Sequence, residues 1–269
     1  MKFLTDQIAS EFFEIGSEQR LNIILHLNEK AWSISALAKE LEATITEVHR
    51  NFGRLQKVGL ILKNVEGTYH LTLFGKTICA LIPSIVFVSE NKKYFESHDF
   101  GNIPIKFQHR VGELCEQQHI KGFVRVLEKW TEIHNNSSQY IYNILTEVPY
   151  SKDIIDVVEK KLNKKIKIHT IFAENAIIPE ERKTIFKIKN FPKFIKEDLL
   201  VRRMTKEVSV VVLINEKESC IIFPNQNGTP DMSEMFYSTD PQFHEWCLDY
   251  FEHCWKNSTS FQESKLNVD

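Results

Sequence analysis

The chain has 269 residues, of which 42% are hydrophobic and 26% are charged, which is enough apolar material for two globular domains. Its formal net charge of −2 excludes a protein that binds nucleic acid over its whole surface. The five cysteines form no C-x-x-C pair and the first residues lack the apolar core of a signal peptide, so we expect a cytoplasmic protein without a disulfide framework.

The first specific local signal is a short helix predicted over residues 35–41. Ser35 is its N-cap, and Leu37 and Leu41 stand four residues apart, so they share one face. The residues at 42–43 predict a tight turn into a second helix.

This second helix is predicted from Thr44 to Val58. Thr44 and Glu47 have the S/T-x-x-E spacing of a capping box, in which the threonine oxygen accepts from a backbone amide and the glutamate reaches back to the cap. Gly59 follows where a left-handed C-cap is needed. The predicted apolar stripe of this helix consists of Ile45, Val48, Phe52 and Leu55.

Residues 60–71 predict a β-hairpin. The segments 60–65 and 68–71 read as strands that flank a turn at Glu66 and Gly67. Helix, turn, helix and two-stranded wing, in this order, predict a winged helix-turn-helix.

The segment from Ser17 to Leu71 resembles the DNA-binding domain of ArsR-like winged-helix repressors. The resemblance rests on a leucine-rich helix at 20–25, a Leu-x-x-x-Gly-Leu-Ile pattern at 55–61 and a Leu-Thr-x-x-Gly pattern at 71–75. It implies that the second helix is a recognition helix for the major groove of double-stranded DNA. Winged helices also serve as protein-interaction modules, so the alternative is such a module with a structural α/β domain and no DNA target.

Positive charge is concentrated on the predicted recognition helix and the start of the wing. From Thr44 to Lys63 there are four Lys or Arg residues and one Glu, a net charge of +3, whereas residues 1–75 carry eight Lys or Arg and nine Asp or Glu, a net charge of −1. Arg50 and Arg54 lie one helical turn apart, a spacing that suits contacts to guanine or phosphate. The predicted DNA-binding residues are Thr46, Glu47, His49, Arg50, Arg54, Lys57, Lys63, Gly67 and Thr68.

An apolar segment at 77–88 predicts a helix that is buried on all sides. It is shorter than the roughly 20 residues that a membrane-spanning helix needs, and Pro83 predicts a kink or break near residues 79–80. We expect its free side to contact a second protomer, and the alternative is packing against its own chain. The predicted dimerisation residues are Ile78, Leu81, Ile82, Ile85 and Val86.

Beyond a turn-rich junction at 97–104, helical and strand patterns alternate, which predicts an α/β sheet covered by helices. Helices are predicted at 125–134, at 151–162 with Ser151 as N-cap, more weakly at 179–196 with an interruption at Pro192, and at 241–255 with Asp240 as N-cap. Strands are predicted at 139–145, 165–173, 199–204, 208–215 and 219–223.

Two motifs in this half resemble the regulatory domain of archaeal methanogenesis-regulator-type transcription factors. They are the junction His98–Pro104 and the ending at 238–241 with Trp246, Phe251 and Trp255. That domain is distantly similar to the phospholipase D fold and to the sugar-sensing TrmB regulators. The resemblance implies a ligand-sensing domain for a possible small-molecule effector.

The phospholipase D fold raises the question of catalysis. That chemistry needs a histidine nucleophile and a lysine in His-x-Lys-x4-Asp spacing, usually twice. The one His-x-Lys here begins at His119, and Val126 stands at the Asp position; His169 is followed by Ile171 where lysine is needed. We therefore predict that the protein is not an enzyme.

Two groups of cysteine and histidine have spacings that suit metal ligands. Cys115 and His119 stand four residues apart, and His244, Cys247 and Cys254 share one face of the last predicted helix. Cysteines of this kind are more often buried as small hydrophobic residues. We predict neither a metal nor a cofactor.

The sequence as a whole predicts an α+β N-terminal winged helix-turn-helix, a long linker or dimerisation helix, and an α/β C-terminal domain. The expected boundaries are 1–75, 76–96, 97–258 and a flexible tail at 259–269. The predicted function is a cytoplasmic, homodimeric, DNA-binding transcriptional regulator without a membrane partner.

Overall fold

Two separate hydrophobic cores organise the chain. A computed structural model describes residues 5–147, 152–178 and 181–268. It divides into unit 1, Met1–Pro83, and unit 2, Ser84–Asp269. Each unit contains one of the cores.

The helices are α1 (Thr5–Ile15), α2 (Glu18–Glu29), α3 (Ile34–Glu40), α4 (Ile45–Lys57), α5 (Leu73–Glu90), α6 (Lys92–Phe95), α7 (Ile105–Gln108), α8 (Phe123–Asn136), α9 (Lys152–Asn163), α10 (Arg182–Ile188), α11 (Phe191–Lys196) and α12 (Pro241–Asn257). The strands are β1 (Ile61–Lys63), β2 (Tyr69–Leu71), β3 (Gln118–Lys121), β4 (Tyr140–Glu147), β5 (Lys167–Ile178), β6 (Leu200–Thr205), β7 (Val211–Asn215), β8 (Ser219–Ile222), β9 (Glu234–Ser238), β10 (Thr259–Ser260) and β11 (Asn267–Val268).

In unit 1, α2, α3 and α4 enclose a core that β1 and β2 complete. Val48, Phe52 and Leu55 of α4 are buried as predicted. Ile45 was expected in the same stripe but is 60% exposed, because it is the first residue of α4 and no element covers it. The predicted cap of α3 is also wrong: Ser33, not Ser35, accepts a hydrogen bond from the backbone amide of Ala36.

The start of α5 explains the Leu-Thr-x-x-Gly pattern. The Thr72 hydroxyl donates to the Gly59 carbonyl at 2.7 Å and accepts from the Gly75 amide at 3.0 Å. A Cβ on Gly75 would lie 2.3 Å from the Leu60 carbonyl oxygen, so only glycine permits this close approach. The pattern thus joins α5 tightly to the end of α4 and the beginning of the hairpin.

Helix α5 runs unbroken from Leu73 to Glu90, so it has no break at residues 79–80, where Pro83 predicted a kink or break. A proline removes one backbone donor, and here the helix continues past the loss. Of the predicted dimerisation residues, Leu81, Ile85 and Val86 are exposed, whereas Ile78 packs against the core of unit 1 and Ile82 is half-buried. Within the described residues, α5 is the one helix whose length and composition would permit a membrane crossing. A single helix of this kind is weak evidence of a membrane protein, because a core helix of a soluble protein can have the same length and composition.

Unit 2 is built around a nine-stranded mixed sheet. The order along it is β10-β6-β5-β4-β7-β8-β9-β3, and β11 pairs with β5. The strands β4, β5 and β6 are parallel and are connected by helices, as parallel neighbours require. From β4 through β7, β8 and β9 to β3 the pairing is antiparallel.

Both faces of this sheet are covered by helices. On one face, Trp130 and His134 of α8 lie with residues of α9, α10 and α11 over β4, β5 and β6. On the other face, rings of α12 stack on the sheet: Phe251 on Tyr142 and Trp255 on His169. The alternation of elements therefore gave the correct architecture, an α/β sheet between helical layers.

Several elements of unit 2 differ from the prediction. Pro192 does not interrupt one long helix; it lies in the first turn of α11, where proline is tolerated because the first amides have no helical partner. The strands β3 and β9 were not predicted. Their pairing joins residues more than a hundred positions apart, which no local pattern encodes. The N-cap predicted at Ser151 lies outside the described residues.

The predicted flexible tail also differs from the structure. Thr259 and Ser260 form β10 and pair with β6, and Asn267 and Val268 pair with β5. Leu266 is buried between these two contacts. Backbone hydrogen bonds to exposed strand edges thus hold a segment whose polar composition predicted fraying.

The junction His98–Pro104 is a packed turn of unit 2. The His98 ring stacks on Tyr94 with centroids 3.8 Å apart, and its Nε2 lies 3.2 Å from Asp231 Oδ2. Gly101 has φ +55°, and a Cβ there would meet Ser209 at 2.7 Å. The resemblance motif at this position is therefore explained by packing within unit 2.

Candidate nucleic-acid interface

Helix α4 begins with the capping box predicted from the sequence. The Thr44 hydroxyl accepts from the Glu47 amide at 3.2 Å, and Glu47 Oε2 accepts from the Thr44 amide at 3.1 Å. The Thr44 hydroxyl also donates to Glu47 Oε2 at 2.8 Å, and this bond, followed by the one from the Thr44 amide, lowers the pKa of the Glu47 carboxyl. Glu47 is therefore engaged in holding the helix start, although its position was predicted to contact DNA.

One face of α4 is open to solvent and rich in donors. Thr46, His49, Arg50 and Lys57 are exposed, and none of them makes a hydrogen bond or salt bridge with another described residue. Thr46, Arg50 and Lys57 follow helical spacing along one side of α4. The buried residues Val48, Phe52 and Leu55 fix this side away from the core.

Gly53 lies in the middle of this exposed face. Glycine in a helix interior is less favourable than alanine by about 0.8–1.0 kcal/mol. A Cβ at Gly53 would meet no atom within 4 Å, so packing inside the described chain does not require glycine there. The bare backbone leaves room for an external molecule to approach α4 closely.

Arg54 was predicted to contact DNA, and the structure gives it an intramolecular partner. Its Nε and Nη2 donate to the two carboxylate oxygens of Glu14 in α1 at 2.8 and 2.7 Å. Glu14 is mostly buried, whereas the Arg54 side chain is 44% exposed. These bonds from Arg54 are the main reason why the pKa of Glu14 is lowered.

Glu14 is held in place by a second arginine. Arg20 is buried; its Nε donates to the Glu14 carbonyl at 2.6 Å and its Nη2 to the Phe13 carbonyl at 3.3 Å. Arg20 Nε also lies 3.1 Å from the Glu14 carboxylate. Sequence reasoning missed Glu14 and Arg20, because they lie 40 and 34 positions before Arg54 and no spacing rule connects them.

The hairpin contributes the remaining predicted residues. Lys63 is exposed at the end of β1, and its Nζ lies 5.8 Å from the centroid of the Tyr69 ring. The turn is closed by hydrogen bonds between the Asn64 amide and the Thr68 carbonyl at 2.7 Å and between the Gly67 amide and the Asn64 carbonyl at 3.1 Å. Gly67, which was predicted to contact DNA, adopts φ +85°, the left-handed backbone conformation that favours glycine in such a turn.

In unit 2, His119 does not have the surroundings of a phospholipase D nucleophile. Its Nε2 lies 2.6 Å from Glu234 Oε2, and Lys121 Nζ lies 3.2 Å from the same oxygen. The candidate nucleophile and the lysine of the half-motif therefore both lie beside a carboxylate, which would repel phosphate. Burial, followed by the nearby Lys121 charge, lowers the pKa of His119.

The two cysteine–histidine groups do not form metal sites in the described part of the chain. No three His, Cys, Asp or Glu side chains come together there in a metal-binding group. His244 Nε2 donates to the Asn215 carbonyl at 2.7 Å. Cys247 is buried, and burial raises the pKa of Cys254 to about 11, which disfavours the thiolate that metals bind.

Comparisons with known proteins find no family model and no curated protein that match the chain. TrmBL2, an archaeal chromatin protein whose structure shows a novel mode of DNA binding, is similar over 86% of this chain and 88% of its own, with 13% identity and a TM-score of 0.43. Nuc, a phospholipase D family member from Salmonella typhimurium, matches 55% of this chain and 98% of its own, with 12% identity and a TM-score of 0.36.

An O-methyltransferase family protein from Burkholderia thailandensis matches 76% of this chain and 65% of its own, with 9% identity and a TM-score of 0.25. These three identities and TM-scores are too low to assign the chain to a fold family or a function. The resemblances to ArsR-like and methanogenesis-regulator-type proteins thus rest on the sequence motifs alone.

Proposed function

We propose that the protein is a DNA-binding transcriptional regulator in which unit 1 is a winged helix-turn-helix. Helix α4 would enter the major groove, and the hairpin formed by β1 and β2 would serve as the wing. The observation that carries the proposal is the open face of α4, where unpaired Arg50 and Lys57 flank the bare backbone of Gly53.

The distribution of charge in unit 1 favours duplex DNA over a protein partner. The domain is nearly neutral overall, yet exposed Arg50, Lys57 and Lys63 all belong to α4 and the hairpin. Local positive charge on a helix-turn-helix suits the phosphate backbone, whose neutralisation supplies much of the affinity. Glu47 and Arg54, engaged within the chain, are assigned no more than secondary contacts.

The proposal is tested by the salt dependence of binding to duplex DNA. With duplexes enriched from a random pool by the protein itself, fluorescence anisotropy should give a log–log slope of about −2.7 or steeper if three basic side chains neutralise phosphates. Lys57→Ala should make the slope shallower by about 1, whereas Lys39→Ala on α3 should not change it. No binding to any duplex at low salt would favour the protein-interaction alternative.

We further propose that α5 mediates a homodimer. Ile78, Leu81, Ile82, Ile85 and Val86 recur at helical spacing and so share one side of α5. Ile85 is 63% exposed, and Leu81 and Val86 are also exposed. A second copy of α5 would remove this apolar side from water and would supply the two recognition helices that a palindromic site needs.

The dimer is tested by charge on that side of α5. The wild-type protein should sediment as a dimer at tens of micromolar. Ile82→Glu together with Ile85→Glu should weaken the dimer at least tenfold, since each change places a carboxylate in an apolar contact. The matched control, Lys76→Glu with Ala80→Glu on the opposite side of α5, should remain dimeric. A wild-type monomer at that concentration would contradict the dimer.

Unit 2 completes the proposed regulator as a sensor domain that is not an enzyme. Ligand binding in it would shift the relative stability of two arrangements of the recognition helices. We place the protein in the cytoplasm, where its cysteines stay reduced and its DNA target is found.

A further inference from the structure

Unit 2 contains an apolar cavity of about 130 Å³ between the sheet and the helices α8, α9, α10 and α11. A cavity of roughly 150 Å³ in another protein's core is large enough to bind benzene. The volume therefore suits a molecule of one ring. The apolar lining includes Trp130, Leu145, Ile154, Val158, Ile168 and Phe186.

The floor of the cavity carries a row of polar residues. Asn143 of β4, Thr170 of β5 and Arg202 of β6 are direct neighbours across three parallel strands. Neighbouring rows on the same face are apolar, such as Ile141, Ile168 and Leu200. A polar row in an apolar floor has no folding advantage unless its groups are hydrogen-bonded.

Asn143 is the member of this row whose burial is not explained by contacts within the chain. It is 4% exposed, and its Oδ1 has no hydrogen-bond partner in the described part of the chain. Leaving such an acceptor buried and unpaired is costly. Asn143 lines the cavity, so a donor from a bound molecule can reach it there.

His134 supplies a second acceptor above the floor. Its Nδ1 lies 2.9 Å from the Trp130 carbonyl, which can only accept, so Nδ1 carries the proton and Nε2 is an acceptor. Burial lowers the pKa of His134 to about 4, so the ring stays neutral at physiological pH. The cavity thus offers two neutral acceptors.

Arg202 does not make this an anion site. Its Nη1 donates to Glu263 at 3.1 Å, and its guanidinium lies over the Phe261 ring at 3.9 Å from the centroid. The positive charge at this end of the row is therefore already paired within the chain. A neutral ligand fits the cavity better than a carboxylate.

We propose that this cavity binds a neutral, ring-sized apolar molecule that carries a hydroxyl donor, a phenol-like ligand, with the hydroxyl donating to Asn143. The site deepens the proposed sensor role of unit 2, but binding itself does not depend on DNA recognition. The apolar ring fills the space under α9, and the hydroxyl satisfies the buried amide oxygen.

Phenol is the test ligand, with toluene as a match in shape that lacks the donor and benzoate as the anionic counterpart. Calorimetry on the full chain should detect phenol binding with a submillimolar dissociation constant and no binding of benzoate. Asn143→Val keeps a similar volume and suits a strand, so it should lower the preference for phenol over toluene at least tenfold. Val158→Phe fills the cavity and should abolish binding of both.

Wild-type protein that does not bind phenol at 10 mM would overturn the proposal, because the expected dissociation constant is submillimolar. An unchanged phenol-to-toluene preference in Asn143→Val would also overturn it. If Asn143→Val does not fold, Val158→Phe is the deciding variant. Phenol binding that persists in Val158→Phe would show that phenol does not bind in the cavity. If the protein does not bind phenol but its binding to duplex DNA depends steeply on salt, the ligand site is wrong and the proposed DNA-binding function stands.

Discussion

Replacing Arg50 with alanine is expected to weaken binding to duplex DNA by about 1–3 kcal/mol, or roughly 5- to 150-fold. Arg50 is exposed at the centre of the open face of α4 and makes no salt bridge with another described residue. Its guanidinium can therefore reach guanine or phosphate without losing an existing partner. Anisotropy titrations with the enriched duplexes measure the loss.

Arg54→Ala serves as the matched control, since it removes the same charge one turn away. We expect a smaller loss, because the Arg54 guanidinium already binds both oxygens of Glu14 and must give up this pair to reach DNA. Glu14→Gln should accordingly strengthen DNA binding. If Arg50→Ala with Arg54→Ala binds DNA as the wild type does, α4 is not the reading helix.

Replacing Gly75 with alanine is expected to destabilise unit 1 by about 1–3 kcal/mol, the usual cost of overpacking. The new Cβ would lie 2.3 Å from the Leu60 carbonyl oxygen, a backbone atom that cannot turn aside. The start of α5 must then move away from the hairpin. Hydrogen exchange of the α4 amides in the full chain reports the stability of unit 1 separately from unit 2.

Gly53→Ala is the matched control, and its expected effect on the stability of unit 1 has the opposite sign. Its Cβ meets nothing within 4 Å, so unit 1 should gain about 0.8–1.0 kcal/mol from better helix propensity. The same methyl group should weaken DNA binding, because it occupies the open space on α4. A gain in stability from Gly75→Ala as well would show that α5 does not approach Leu60 closely.

The sequence alone determined the elements whose signals are local. The capping box of Thr44 and Glu47, the left-handed Gly59 and the cap at Asp240 depend on hydrogen bonds between residues two to four positions apart. Such bonds form wherever the segment becomes helical, so their spacing is visible in the sequence. The exception, Ser33 in place of Ser35, arose because two serines lie two positions apart and either suits the rule.

Only the tertiary structure decided which side chains are free and which are paired. Arg50 and Arg54 are equivalent in spacing and charge, yet Glu14 of α1 pairs with Arg54 and not with Arg50. The row formed by Asn143, Thr170 and Arg202 depends on the register of three strands separated by whole helices. Register and helix placement follow from the burial of many distant residues together, so no short stretch of sequence specifies them.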